Sequence, residues 1–330
     1  MKTGAFILLI AFSLVSCKVT DRPATIGSID RVDESLNELI DPDAALEVLA
    51  DGYDWSEGPV WIESQKMLLF SDVPKNTVYK WTEDDGVKLF LKPSGYTGNA
   101  SSNSAEEGSN GLAVDAQGRL ILCQHGDRRL ARMDAPLNAP RPLFSTLADN
   151  YEGKKLNSPN DVAIRANGDL FFTDPPYGMP KDVPQETPFQ GVYKVSGGKV
   201  TLLIDSISRP NGIAFMPGEK TLIIANSDPA KAVWYAYDLA SGDSVVNGRI
   251  FYAVATADKA EQGNPDGLKV DRNGNVFATG PGGVWIFDRS AKLLGRIKIP
   301  VATANCAFSE DQKTLFITAD NYLLRLKMKP

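Results

Sequence analysis

Residues 110–124 read NGLAVDAQGRLILCQ, a polar residue followed by an apolar run, a polar turn and a second apolar run. Two short apolar runs joined by such a turn are typical of a β-hairpin. The same order of features occurs six times along the chain, at spacings of 39–55 residues. Repeats of this length predict a propeller or a solenoid. The six first residues are Glu57, Asn110, Asn160, Asn211, Asp266 and Asn305.

The interior of each repeat favours a propeller. A third apolar strand is visible in most copies, for example at 77–81, 191–195, 232–237 and 283–287, and no long run has helical periodicity. Units of about 50 residues with four strands fit propeller blades. We therefore predict an all-β, six-bladed β-propeller over residues 43–330, with the strand near 45–49 completing the last sheet. Seven blades are the alternative, if a degenerate repeat occupies the Gly/Ser/Asn-rich stretch 85–108, which reads as a loop.

The innermost strands of a propeller line its channel, so the six first residues form a ring, here called the inner ring. All six side chains carry an oxygen donor and none is a cation. Unpaired buried carboxylates are costly, which predicts a central divalent-metal site. Calcium accepts 6–8 oxygen ligands and suits this set. The alternative is turn chemistry, since Asn-Gly and Asp-Gly are common turn pairs, but that does not explain Glu57.

The second strand of each hairpin returns to the face where the first strand began. The polar residues at these returning ends are here called the outer ring: Asp72, Gln124 with His125, Thr173 with Asp174, Asn226 and Asp320. Together the two rings predict a funnel-shaped site on one face of the propeller.

Composition excludes several classes of function. Lys and Arg number 35 against 41 Asp and Glu, a net charge of −6, so a nucleic-acid partner is not expected. Three cysteines are too few for a disulfide scaffold, and one histidine is too few for a zinc cluster. Cys123 and Cys306 lie in apolar strands and are expected to pack as small apolar residues, with a disulfide between them left open.

The amino terminus reads MKTGAFILLIAFSLVSC, in which one lysine precedes an apolar run too short to span a bilayer. The ending of this segment resembles a bacterial lipobox, so we predict a lipoprotein signal peptide at 1–16 and lipidation of Cys17. An ordinary signal peptide is the alternative. Residues 17–42 are predicted to be a flexible tether. These features predict a protein anchored by lipid in the bacterial cell envelope, facing the periplasm or associated with the outer membrane.

Several motifs together resemble the senescence marker protein, gluconolactonase and regucalcin-like lactonase family. The matching segments are 56–61, 110–115, 157–162, 172–178, 209–212 and 264–268. The stretch 123–129 resembles its bacterial gluconolactonase branch in particular. The resemblance implies a six-bladed propeller with one cation, usually Ca²⁺, although Mg²⁺, Mn²⁺ or Zn²⁺ are open alternatives. It implies metal ligation by Glu57, Asn160, Asn211 and Asp266. The animal branch has a sugar-binding arginine where this chain has Ser158, so substrate contacts cannot be copied from that branch.

The function expected from this resemblance is metal-assisted hydrolysis of a small-molecule sugar lactone. Asp266 or His125 would activate water, since an imidazole titrates near neutral pH. The expected substrate-binding residues are Asn110, Arg128, Asp174 and Tyr177. Two other functions stay open: a non-catalytic carbohydrate-binding or scaffold lipoprotein, and a metal-dependent esterase or phosphotriesterase. The oligomeric state is not readable from the sequence.

Overall fold

Each repeat folds as one antiparallel sheet in a computed structural model, which describes residues 23–329. Blade 1 contains β3 (Ser56–Ile62), β4 (Met67–Asp72), β5 (Thr77–Thr82) and β6 (Gly86–Leu91). Blade 2 contains β7 (Ser109–Val114), β8 (Leu120–Gln124), β9 (Arg129–Met133) and β10 (Phe144–Ala148). A short hairpin, β11 (Asn150–Tyr151) with β12 (Lys154–Lys155), follows blade 2. Blade 3 contains β13 (Val162–Ile164), β14 (Leu170–Asp174), β15 (Gly191–Ser196) and β16 (Lys199–Ile204).

The second half of the chain repeats this order. Blade 4 contains β17 (Pro210–Phe215), β18 (Thr221–Asn226), β19 (Val233–Leu239) and β20 (Val245–Ala253). Blade 5 contains β21 (Leu268–Val270), β22 (Val276–Gly280), β23 (Gly283–Phe287) and β24 (Leu293–Lys298). Blade 6 contains β25 (Thr303–Phe308), β26 (Thr314–Ala319) and β27 (Tyr322–Lys327). The 3₁₀ helices are Glu34–Glu38, Glu63–Gln65, Pro229–Lys231, Ser241–Asp243 and Asp258–Ala260. The six-bladed all-β prediction is confirmed.

The ring is closed by a strand from the start of the chain. β2 (Glu47–Asp51) pairs antiparallel with β27, so the fourth strand of blade 6 comes from residues that precede blade 1. This confirms the strand predicted near 45–49. The stretch 85–108 supplies β6 and then a loop, and six sheets surround the axis.

Six apolar clusters hold the blades together, one at each interface between neighbouring blades. Between blades 4 and 5, Trp234 and Trp285 are fully buried with ring centroids 5.8 Å apart. Between blades 6 and 1, Phe316 stacks on Trp61 at 5.4 Å. These large rings fill the wedge between sheets that fan out from the axis, and their burial is the main stabilising term of such a fold.

The predicted flexible tether at 17–42 is wrong for the part that the structure describes. β1 (Ser28–Arg31) pairs with β24 and adds a fifth strand to blade 5. Leu36 and Ile40 follow it and are fully buried in the cluster between blades 5 and 6. Each such burial contributes about 1.5–3 kcal/mol, which explains why this polar-looking segment is held on the propeller.

The predicted signal peptide and Cys17 lie outside the described residues. Among residues 23–329, no helix has the length and apolar character needed to cross a membrane. Cys123 and Cys306 are both buried free thiols, in the clusters between blades 2 and 3 and between blades 5 and 6. The open alternative of a disulfide between them is therefore not formed.

Candidate active site in the propeller channel

Glycine follows the inner-ring residue in four of the six blades because the neighbouring inner strand comes very close. Gly58 has a φ of +52°, and a Cβ there would lie 2.1 Å from the carbonyl oxygen of Asn110. A Cβ on Gly111 would lie 2.6 Å from the carbonyl oxygen of Asn160. Such contacts are impossible for any side chain. The Asn-Gly and Asp-Gly pairs therefore reflect strand approach at the axis.

A cavity of about 300 Å³ lies where the inner strands begin. Its walls include five inner-ring residues: Glu57, Asn110, Asn160, Asn211 and Asp266. Further side chains around it are Trp55, Glu106, Tyr177, Ser227, Asn264 and Thr303. Larger grooves of up to about 740 Å³ lie between blade turns, but they contain none of the inner-ring side chains. The small cavity is therefore the candidate active site.

Several oxygen atoms of the inner ring are buried without a hydrogen-bond partner. They are Asn110 Oδ1, Asn160 Oδ1 and Asp266 Oδ1, all from cavity-lining residues. Buried polar atoms in native proteins are almost always partnered, so orphaned acceptors gathered at one cavity require an explanation. A ligand that presents positive charge or hydrogen-bond donors to all three would supply it.

Asn211 is oriented by neighbouring polar groups. Its Nδ2 donates to Ser227 Oγ at 2.9 Å, and the Ser227 hydroxyl donates in turn to the carbonyl oxygen of Pro265. With its amide nitrogen occupied in this way, Asn211 keeps its carbonyl oxygen as the acceptor for a bound ligand.

The two carboxyl groups of the inner ring resist ionisation when no cation is present. Burial raises the pKa of Glu57 to about 8, and the nearby carboxyl of Asp161 adds to the increase. Burial also raises the pKa of Asp266 well above its usual range, and the neighbouring Glu57 carboxyl acts in the same direction. A bound cation would reverse both effects, since opposite charge favours the ionised form.

Asn305 is the inner-ring member that does not line the cavity. Its Oδ1 accepts from Lys269 Nζ at 3.1 Å and from the backbone N–H of Cys306 at 2.9 Å. Its Nδ2 therefore faces Glu57 and donates to Glu57 Oε2 at 3.3 Å. Asn305 thus holds one oxygen of Glu57 in place.

Tyr177 reaches the cavity from a loop that Ser158 holds. The hydroxyl of Ser158 donates to the Pro175 carbonyl at 2.6 Å and accepts from the Gly178 backbone N–H at 3.0 Å. Burial raises the pKa of Tyr177 to about 12, so its hydroxyl stays protonated and available as a donor. Ser158, at the position where the resemblance places an arginine in the animal branch, therefore fixes the loop that carries Tyr177.

His125 lies behind the cavity wall. Its side chain is fully buried, and the nearest ionic group is Glu106, whose Oε2 is 3.5 Å from His125 Nδ1. Gly178 packs against the imidazole so closely that a Cβ there would lie 2.2 Å from His125 Cβ. Glu106 and Tyr177 line the cavity and His125 does not. His125 therefore contacts a residue of the cavity wall, and both of its ring nitrogens are buried without a hydrogen-bond partner.

Arg128 and Asp174, two predicted substrate contacts, are also absent from the cavity wall. Arg128 Nε donates to the carbonyl oxygens of Leu156 and Asn157 at 2.8 and 3.0 Å. Asp174 Oδ2 accepts from the backbone N–H of Asn157 at 2.8 Å, and burial raises the pKa of Asp174 to about 7. Both side chains therefore fix the segment that leads into Asn160. The other two predicted substrate contacts, Asn110 and Tyr177, do line the cavity.

The donor set fits a hard divalent cation. Carboxylate and amide oxygens are the ligands that Ca²⁺ prefers, and the three orphaned oxygens come from residues around one cavity. Within residues 23–329, no group of three or more His, Cys, Asp or Glu side chains gathers as a metal cluster. The asparagines would therefore have to complete the coordination.

Residue patterns did not reveal several cavity residues. Glu106 lies in the loop between β6 and β7, where no periodicity marks a functional position. Ser227 directly follows the outer-ring Asn226, and Trp55 lies two residues before the inner-ring Glu57. Asn264 lies inside a motif that carries the family resemblance, and this was the available signal.

The fold and cavity define a class of protein: a six-bladed propeller whose axial ring of carboxyl and amide oxygens surrounds a small polar site. The SMP-30/gluconolactonase/LRE-like region family matches residues 55–321. The chain belongs to this family.

Known relatives agree with that assignment. A gluconolactonase from Zymomonas mobilis is 37% identical to this chain. The aligned region covers 93% of this chain and 87% of that relative. The solved structure of a gluconolactonase from Xanthomonas campestris superposes with a TM-score of 0.80 at 33% identity, covering 93% of this chain and 98% of that one. A calcium-binding protein, regucalcin, from Agrobacterium tumefaciens has a TM-score of 0.67 at 18% identity, covering 86% of this chain and 94% of that one, and this likeness shows the fold alone.

Proposed function

We propose that the chain hydrolyses a sugar lactone in the channel cavity with the help of a bound divalent cation, Ca²⁺ being the first candidate. The observation that carries the proposal is the set of orphaned inner-ring oxygens, which includes Asn160 and Asp266, around a cavity of about 300 Å³. The similarity to gluconolactonases from Zymomonas mobilis and Xanthomonas campestris supports the reaction class.

The cation would be held by Glu57, Asn160, Asn211 and Asp266. Asn110 Oδ1, which has no hydrogen-bond partner, is available as a further oxygen ligand in the same cavity. A cation bound there would polarise the lactone carbonyl and stabilise negative charge on its oxygen. Asn305 and Gly58 fix Glu57 Oε2, because both donate hydrogen bonds to it. The position of Glu57 is thus set before any ligand arrives.

The protein's own groups account for the proton transfers. Water adds to the carbonyl carbon, the ring C–O bond breaks, and the products are a carboxylic acid and a free hydroxyl. The carboxylate of Asp266 accepts the proton of the attacking water and returns it to the departing ring oxygen. Tyr177, protonated at neutral pH, donates a hydrogen bond to a substrate hydroxyl at the cavity mouth.

Acid release followed in a pH-stat tests this function. Purified protein should open glucono-1,5-lactone faster than the uncatalysed rate, lose that activity after EDTA treatment and dialysis, and regain it with Ca²⁺. A parallel panel of simple esters and a phosphotriester measures the alternative substrate class. Binding of a lactone without any acid release would instead identify a non-catalytic sugar-binding propeller.

We also propose that the mature protein is anchored by lipid at Cys17. Ten residues lie between Cys17 and Ser28, the first residue of β1, so an extended chain reaches at most about 40 Å from the membrane to blade 5. Cys17→Ser should move the protein from the membrane to the soluble envelope fraction and abolish incorporation of labelled palmitate. Unchanged fractionation of this variant would contradict the anchor.

A further inference from the structure

Glu106 lines the cavity, but the proposed reaction gives it no role. It lies in the loop between β6 and β7, and a third of its side chain is exposed to water (34%). Within residues 23–329 its carboxylate accepts no hydrogen bond, and the imidazole of His125 lies 3.5 Å from it. A carboxylate in a cavity wall that has no hydrogen bond within the protein can accept one from a ligand.

The loop that carries Glu106 is held at both ends by the turn that follows β8. Near its start, Thr97 donates from its backbone N–H and its hydroxyl to the Asp127 carboxylate, at 3.1 and 2.7 Å. At its end, the carbonyl oxygen of Gly108 accepts from the His125 backbone N–H at 3.1 Å. Glu106 therefore has a defined position at the cavity, although its loop has no regular secondary structure.

The side chain of His125 lies directly behind Glu106. It is fully buried, both ring nitrogens lack a hydrogen-bond partner, and Nδ1 lies 3.5 Å from Glu106 Oε2. Buried polar atoms without partners are rare in native proteins, so the orientation of this ring needs an explanation. A small approach of the carboxylate to Nδ1 would form a hydrogen bond and fix the direction of the Glu106 side chain.

Glu106 and Tyr177 offer complementary groups to a sugar. Both line the same cavity. A sugar hydroxyl donates one hydrogen bond and accepts others, so full recognition needs an acceptor for its proton as well as donors to its oxygen. The Tyr177 hydroxyl can donate, and a carboxylate at Glu106 only accepts. The cavity wall therefore presents both kinds of partner.

We propose that Glu106 recognises one hydroxyl group of the substrate and that His125 positions the Glu106 carboxylate for this contact. The site would then prefer lactones that carry a free hydroxyl at that carbon over lactones that lack it. The inference rests on the proposed lactone hydrolysis and names the feature of the substrate that the cavity selects. Neither residue is among those that would hold the cation.

Deletion of single hydroxyl groups from the substrate, combined with removal of the Glu106 side chain, tests the contact. The substrates are glucono-1,5-lactone and its 2-, 3-, 4- and 6-deoxy analogues, with kcat/KM measured in the pH-stat at saturating Ca²⁺. For wild type, loss of the recognised hydroxyl should lower kcat/KM about 10–100-fold, as expected for a hydrogen bond to a charged group. For Glu106→Ala, the same deletion should cost less than about threefold, because the partner is already absent.

This comparison separates recognition from a structural effect. A substitution that only disturbs the loop would lower kcat/KM for all the lactones by one common factor and leave the cost of each deletion unchanged. Glu106→Gln keeps the size of the side chain and removes its charge, so it should reduce the cost of the same deletion in part. This variant decides the question if Glu106→Ala does not fold.

Two variants test the positioning role of His125. His125→Leu removes the N–H group that faces Glu106, so most of the cost of deleting the recognised hydroxyl should disappear. His125→Gln keeps an N–H donor and should retain a larger part of that cost. If His125→Leu retains the full wild-type cost of that deletion, the positioning role is overturned.

Glu107→Gln is the matched control, because it removes one charge from the next residue of the same loop. The Glu107 carboxylate accepts from Ser102 Oγ at 2.5 Å and does not line the cavity, so this variant should show the wild-type pattern. Calorimetric titration should give Glu106→Ala a Ca²⁺ affinity within about tenfold of wild type, since only a partly exposed charge is lost. A loss above 100-fold would make Glu106 a cation ligand and overturn the inference.

The remaining outcomes distinguish this inference from the proposed function. If every hydroxyl deletion costs the same in wild type and in both Glu106 variants, recognition by Glu106 is overturned while the lactonase function stands. If the wild-type protein opens no lactone, the proposed function and this inference fall together.

Discussion

The inner and outer rings look alike in sequence but differ in their hydrogen bonds. Most outer-ring side chains bond backbone groups, although Asp174 Oδ1 and both ring nitrogens of His125 are buried without a partner. Asn110, Asn160 and Asp266 in the inner ring each present a buried oxygen without a partner. In the outer ring, Asp72 accepts from the Trp55 N–H at 3.2 Å and Asn226 accepts from the Arg209 N–H at 2.9 Å. An oxygen without a partner is available to a ligand, whereas a partnered oxygen belongs to the scaffold.

Outer-ring side chains hold the chain segments that lead into the inner-ring residues. Trp55 and Arg209, whose N–H groups are bound, each lie two residues before an inner-ring residue, Glu57 and Asn211. Asp174 follows the same rule in blade 3, since it binds the N–H of Asn157, three residues before Asn160. Each of these outer-ring side chains thus fixes the segment that carries an inner-ring side chain to the axis.

The largest effect is expected from the inner ring. Asp266→Asn keeps the size of the side chain and removes the proton acceptor, so kcat for lactone opening should fall about 10²–10⁴-fold. Initial rates in the pH-stat at saturating Ca²⁺ measure this. Asp238→Asn on β19, outside the cavity wall, is the control, and near-normal turnover of Asp266→Asn would remove Asp266 from the chemistry.

An intermediate effect is expected when the support of an inner-ring residue is removed. Asp174→Ala leaves the Asn157 N–H without its acceptor and should weaken Ca²⁺ binding about 10–100-fold through displacement of Asn160. Calorimetric titration of Ca²⁺ measures the affinity. Asp169→Ala alters the opposite end of the same hairpin and should bind Ca²⁺ normally. Equal affinities in all three proteins would show that the outer ring does not position the inner ring.

Sequence reasoning found the blades and the inner ring because both depend on local, repeated patterns. It could not separate the two rings, since the partner of Asp174 is a backbone N–H seventeen residues away that has no signature of its own. It also missed β1 and the burial of Leu36. That side chain packs on blades 5 and 6, which lie more than 200 residues later in the chain. Glu106 was missed because its loop has no periodicity.

A smaller effect is expected at His125. The imidazole lies behind Glu106 and Tyr177, so His125→Gln should lower kcat/KM less than about tenfold through a shift of Glu106. The pH profile of kcat/KM distinguishes this positioning role from catalysis. Loss of a catalytic base would also remove the part of the pH dependence that its ionisation causes. A loss as large as that of Asp266→Asn would instead place His125 among the reacting groups.

The smallest effect on activity is expected for Asp174→Asn, which can still accept from the Asn157 N–H. Turnover should stay within about twofold of wild type. Stability should change with pH, because burial raises the folded-state pKa of Asp174 to about 7 from an unfolded value near 3.8. A carboxyl whose pKa is raised on folding favours the folded state below the unfolded pKa, and this contribution is lost as pH rises towards 7. Wild type should therefore lose about 2 kcal/mol or more between pH 4 and 8 through this group, and the variant should not. Urea unfolding at several pH values measures the difference. A variant that is less stable than wild type at pH 8 would show that the Asp174 carboxylate is stabilised there by its surroundings, Arg128 included.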